Sequence, residues 1–167
     1  MALRERADIG CVLLTAAVDA AHGSSAAEAV VGVELPAVHG RIGNGNGRRA
    51  LWLSPRSWLV HCAVAEEGEL VKRVNASFPD KLLHATRFTD ALCWLELSGP
   101  GSFELLTEGG FLSLEQAGFP IGHAKRTLIA QIAAIVVREA ESVWLLAVER
   151  SRARYFVDWI RGDRRTA

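Results

Sequence analysis

The chain has 167 residues, half of them apolar, with 19 Lys+Arg against 19 Asp+Glu. That length suits one domain burying about two-thirds of its unfolded surface, and the apolar share excludes wholesale disorder. Zero net charge leaves no basic face for nucleic acid and little repulsion to keep the chain monomeric, so a subunit of something larger is expected.

From Met1 to Asp8 charges stand where the apolar stretch of an export signal would begin. No run approaches the length of a membrane span, the longest being Ile132–Val137. A soluble, cytoplasmic protein is the expectation, with no membrane partner. Ile9–Leu14 reads as a strand. Ser24 and Ser25 can cap a short helix through about Val31, with Glu28 in its first turn. Val38–Arg49 carries Gly40, Gly43, Asn44, Gly45, Asn46 and Gly47 and reads as a surface loop. It is not a dinucleotide fingerprint, since no strand leads into it and no apolar helix follows. Arg49–Leu53 and Ser57–Val64 predict a hairpin around Ser54-Pro55. Glu66–Phe78 predicts a helix with Leu70, Val71 and Val74 on one face and Glu66, Glu67 and Glu69 solvated on the other. Leu82–Phe88 is a further strand.

A second copy begins at Asp90. Cys93–Leu97 is a strand that ends at Ser98-Gly99-Pro100-Gly101. Pro100 fits the first turn of a helix over Gly101–Thr107, where its missing N–H costs nothing. Gly109–Gly122 has no regular period. Arg126–Arg138 reads as one long strand with a bulge near Gln131, and Ser142–Glu149 as its hairpin partner. Ser151 can cap a closing helix to Arg161, and a polar tail follows Gly162. Each half reads strand, helix, strand, strand, helix. The halves, about 8–88 and 90–161, align at an offset of about 85, which sets Trp58 against Val143 and Leu35-Pro36 near Phe119-Pro120. The expected fold is α+β, a single domain of two pseudo-repeats in which helices cover mainly antiparallel sheet.

No constellation of side chains predicts catalysis. The five histidines lack metal spacing, and Cys11, Cys62 and Cys93 each sit in an apolar run, as buried reduced thiols do. No G-x-S-x-G elbow exists, and Ser102 reads as an early helix residue. Glu96, between Leu95 and Leu97, falls on the open face of a strand. The expected catalytic, cofactor-binding and metal sites are none. Two features point to a partner instead. Phe111, Leu112 and Phe119 lie in the irregular middle segment, where a loop should be polar. Arg152 and Arg154 lie in a C-terminal arginine cluster, a residue type enriched at interfaces.

Four blocks give the chain a resemblance to the gamma subunit of heterotetrameric sarcosine oxidase: Ala50–Leu59 (ALWLSPRSWL), Leu95–Pro100 (LELSGP), Phe119–Thr127 (FPIGHAKRT) and the Ser151–Trp159 segment. That family is similar in fold to the folate-binding aminomethyltransferase of the glycine cleavage system. In the catalytic relatives the strand matching Leu128–Val137 brings an acidic residue to the folate. Here Gln131–Val137 holds no carboxylate, which implies a retained fold without that chemistry, Glu96 being the nearest substitute. The Lys-Gly-Cys motif of related folate proteins is replaced by Gly122-His123-Ala124. The resemblance implies a structural role beside alpha, beta and delta subunits in an enzyme that oxidises sarcosine to glycine, hydrogen peroxide and formaldehyde or methylene-tetrahydrofolate. It places FAD, FMN, NAD, tetrahydrofolate and zinc in the other subunits and no cofactor in this chain. Two departures, Ser54-Pro55-Arg56-Ser57 in the hairpin turn and Ser113 in the middle loop, leave open a sister complex such as an N-methyl-amino-acid dehydrogenase. A stand-alone aminomethyltransferase-like protein is the other alternative.

Overall fold

The structure, a computed structural model, describes residues 1–17, 25–110 and 119–162. The chain forms two compact units, Asp8–Thr89 and a second made of Met1–Ala7 with Asp90–Ala167. Each is a five-stranded antiparallel sheet with helices, the α+β class that the alternation of apolar runs and helical faces predicts.

The first unit runs β2 (Ile9–Ala16), α1 (Ser25–Val31), β3 (Ile42–Gly45), β4 (Arg48–Ser54), β5 (Ser57–Ala63), α2 (Glu67–Ser77) and β6 (Leu83–Arg87), in the sheet order β3-β4-β5-β2-β6. Its core gathers Val12, Leu14, Ala50, Trp58, Val60, Leu70, Val74 and Leu83 with Val31 and Leu35. The buried apolar residues of α2, Leu70 and Val74, are four apart and therefore on one face of the helix.

The second unit runs β7 (Leu92–Ser98), α3 (Ser102–Gly109), β8 (Ala124–Ile129), β9 (Ile132–Ala140), β10 (Val143–Glu149) and α4 (Ala153–Arg161), and it also takes β1 (Ala2–Glu5). The order is β1-β7-β10-β9-β8. Element by element this matches the first unit, with β1 beside β7 where β6 lies beside β2. The edge strand that follows the last helix in the first unit is thus provided in the second by the N-terminus. Ala2 pairs with Ser98 and Glu5 with Leu95. The sequence hides β1 because it is a short, charged edge strand on which Leu3 alone packs inward.

Five further expectations are corrected. The glycine-rich stretch contains β3, which pairs with β4 from Ile42↔Leu51 to Gly45↔Arg48. A Cβ at Gly43 would collide with the Glu34 carbonyl, so glycine is what lets that edge approach. Residues 126–138 are not one bulged strand but parts of β8 and β9, reversed at Ala130 and Gln131 with φ of 49° and 64°. The same two-residue turn in the first unit is Asn46-Gly47, at φ of 48° and 73°. Asn-Gly announces such a turn and Ala-Gln does not. Pro100 lies in the turn before α3 rather than inside it, and α4 begins at Ala153 after a 3₁₀ turn over Arg150–Arg152, so Ser151 is not its cap. Trp58 and Trp144 are the matching residues of β5 and β10, which makes the offset there 86, one more than the sequence suggests. A one-residue slip would send these side chains to opposite faces of their sheets.

Among the described residues no helix is long and apolar enough to cross a membrane. All three cysteines are buried, and no disulfide joins them.

Candidate functional site

In the second unit Ile132, Ala134, Val136 and Arg138 share one face of β9, because side chains alternate along a strand. The first three are core residues and the fourth is a cation that is only 4% exposed. Its cross-strand neighbour on β10 is Trp144, and the guanidinium carbon stands 5.2 Å from that indole centroid. Arg138 Nη1–H donates to the Phe119 carbonyl at 3.0 Å, whereas its Nε has no hydrogen-bond partner. Trp144 Nε1–H donates to Ser102 Oγ at 3.2 Å, which anchors the buried first residue of α3 over the same sheet.

These groups border a cavity of about 390 Å³, whose lining includes Pro100, Ser102, Phe103, Arg138 and, at an exposed rim, Glu104 and Glu141. Gly101, at φ of 81°, turns the chain into α3, and no side chain caps the helix. An arginine whose Nε–H is unpaired and an uncapped helix start therefore line the same space. Such an arrangement can bind an anion. It provides no nucleophile paired with a base.

The candidates chosen from sequence scatter. Phe111 and Leu112 lie outside the described residues. Phe119 is corrected from partner surface to core: it is fully buried, with its ring 6.2 Å from that of Trp144. Its apolar character serves the second unit, as that of Leu35 serves the first. Arg152 and Arg154 are exposed, within 3.8 Å of Glu149 and 4.0 Å of Asp158. Exposed pairs of this kind stabilise little, so both side chains stay available to a partner. Glu96 accepts hydrogen bonds from Arg6 at 2.9 Å and from Arg4 at 3.2 and 3.3 Å. Glu67, expected to be solvated, is 2% exposed and takes four hydrogen bonds. Sequence reasoning missed Arg138; the signal was its place in the period-two run that begins at Ile132.

Among solved structures, the chain is similar in fold to aminomethyltransferase T of the glycine cleavage system from Bartonella henselae. The TM-score is 0.63 at 13% identity, over 96% of this chain and 45% of that one. It also resembles the regulatory subunit of aspartate kinase from Thermus thermophilus, with a TM-score of 0.50 at 9% identity over 97% and 96% of the two chains. The two units thus define an α+β protein with a fold like that of aminomethyltransferase T. Within that class the chain belongs to the sarcosine oxidase gamma subunit family, whose model matches residues 15–165. A structure of heterotetrameric sarcosine oxidase from Corynebacterium sp. U-96, in complex with pyrrole 2-carboxylate, matches with a TM-score of 0.84 at 26% identity, over 95% of this chain and 80% of that one. No curated protein matches the sequence.

Neither acid position that the sequence suggests for a folate amine offers an unengaged carboxylate among the described residues. Gln131–Val137 carries no carboxylate, and the carboxylate of Glu96 is engaged by Arg4 and Arg6. A group already held by two guanidinium ions is a poor base.

Proposed function

We propose that the chain is a non-catalytic gamma subunit of a sarcosine oxidase, with a structural and assembly role beside alpha, beta and delta subunits in the cytoplasm. The observation that carries this reading is the family match over residues 15–165 together with a likeness to the heterotetrameric enzyme across 95% of the chain. In this reading the complex converts sarcosine to glycine, with hydrogen peroxide and formaldehyde or methylene-tetrahydrofolate as the other products. FAD, FMN, NAD, tetrahydrofolate and zinc reside in the larger subunits and in the smallest one. The engagement of Glu96 by Arg4 and Arg6 and the lack of a carboxylate in Gln131–Val137 support a scaffold over a folate enzyme. The unusual hairpin turn at Ser54–Ser57 favours a second outcome, a sister complex acting on another N-methyl amino acid.

The test is a tagged purification from the native host, read by mass and by visible absorbance. A yellow complex with two larger chains and sarcosine turnover is the expected result. A yellow complex that turns over another N-methyl amino acid moves the chain to the sister enzyme. A colourless, solitary protein overturns the assignment. In the same assay Phe111→Asp and Arg154→Glu are expected to weaken recovery of the partners while the chain stays folded.

A further inference from the structure

We propose that the cavity at the start of α3 is a carboxylate site, with Arg138 as its floor and, as its second donor set, the first-turn N–H groups of α3 that follow Ser102, whose own N–H donates to the Gly99 carbonyl. The argument goes beyond the subunit assignment and begins with the fold's own internal control. Trp52 on β4 and Arg138 on β9 hold the same position, since each lies directly across a hairpin from the matching tryptophan, Trp58 or Trp144. In the first unit an aromatic side chain fills the place, packed edge-on against His39 at 5.1 Å between ring centroids. The sheet therefore does not require a cation there. A buried guanidinium is unfavourable unless its charge is compensated, and Arg138 has no carboxylate within ion-pair distance among the described residues.

The geometry selects the class of ligand. Nη1 is spent on the Phe119 carbonyl, and the indole of Trp144 covers a face of the guanidinium. What remains is the Nε edge, where Nε–H is unpaired and covered, in a residue that lines the cavity. Nε and Nη2 present two parallel N–H groups, the spacing that a planar carboxylate accepts with both oxygens. The uncapped start of α3 borders the same cavity and adds a partial positive charge. Glu104 and Glu141 stand exposed at the rim, where water screens them, and they disfavour a highly charged anion such as a phosphate relative to a single carboxylate.

The carboxylate can belong to a free acid or to an acidic side chain of a partner subunit. The test uses the full chain as it purifies, alone or with its partners, labelled with ¹⁵N-arginine. The Arg138 Nε–H signal, assigned by its loss in Arg138→Lys, is followed through a titration with sodium acetate at ionic strength held constant with chloride. A saturable shift in the isolated chain is expected. A signal that does not move, or that moves in proportion to acetate without saturating, overturns the site and leaves the subunit assignment untouched. The source is then read from assembly. If Arg138→Lys, which keeps the charge but not the two-donor edge, lowers recovery of the partners, the acid is a partner's. If recovery is unchanged and the acetate shift persists in the complex, the site takes a free acid.

Discussion

Thr89 Oγ1 donates a 2.7 Å hydrogen bond to Glu67 Oε1 and accepts one of 2.9 Å from the Cys11 backbone N–H. The same carboxylate oxygen accepts the backbone N–H groups of Phe88 and Thr89, at 3.0 and 3.1 Å, and Oε2 accepts Arg87 Nε–H at 3.0 Å. One buried acid at the start of α2 thereby ties that helix to the end of β6 and, through Thr89, to β2. Glu67→Ala would strand buried donors and is expected to lower the unfolding free energy by about 3 kcal/mol, and Thr89→Val by about 1–2 kcal/mol, in urea titrations.

The acid also sets a pH dependence. Burial works to raise its pKa, but the hydrogen bonds from the Thr89 side chain and backbone, Arg87 and Phe88 outweigh that and hold it below the ordinary glutamate value. A depressed folded-state pKa stabilises fully above the unfolded value of about 4.3, and the stabilisation is lost as the pH falls through the folded value. Glu67→Gln should therefore flatten the acid limb of stability against pH below about 4.3 and leave its slope near neutrality unchanged.

The turn at Ala130-Gln131 carries two side chains at positive φ, where its counterpart has Asn46-Gly47. Installing Asn at 130 and Gly at 131 removes the steric cost of the left-handed backbone and should raise stability by about 1 kcal/mol, visible as a higher melting temperature.

Gly109 ends α3 in contact with Trp159. A helical glycine usually gains about 1 kcal/mol when replaced by alanine. Here the new Cβ would collide with the Trp159 ring, which is stacked on Phe156 at 6.0 Å, and would meet Ile129 at 3.1 Å. The expected sign is reversed: Gly109→Ala destabilises by about 1–3 kcal/mol.

Removing residues 1–7 would uncover the edge of β7 and withdraw Leu3 from the second core. The truncated chain should lose about 2 kcal/mol or more, and hydrogen exchange should quicken along β7 while β2 and β5 keep their protection.

Burial pushes the Cys62 thiol up to about 11, against the nearby positive charge of Arg48 and with the negative charges of Glu67 and Glu66 adding to the rise. At pH 8 only about one thiol in a thousand is ionised, so alkylation should proceed only as fast as the unit opens.

The near-continuous apolar runs from Trp58 to Cys62 and from Val143 to Val148, and the period of Leu70 and Val74, were enough to write down two hairpins, the α2 face and the duplication. These features are local, because periodicity within one strand or helix decides which side chains can be buried together. The Asn46-Gly47 turn was not read from the sequence, because the surrounding glycines suggested a loop. The candidate site was not legible. Arg138 reads as the polar end of an apolar strand until Trp144, Ser102 and Phe119 are brought round it from 6, 36 and 19 residues away.

By itself the sequence determined the α+β class, two hairpins and the family, all of which follow from short-range patterns and blocks of residues. Only the tertiary structure decided that the N-terminus completes the second sheet, that Glu67 and Phe119 are inside, and that a cation faces the start of α3. Each depends on pairing between distant parts of the chain, and burial of a charged or edge residue is set by what closes over it rather than by its neighbours in sequence.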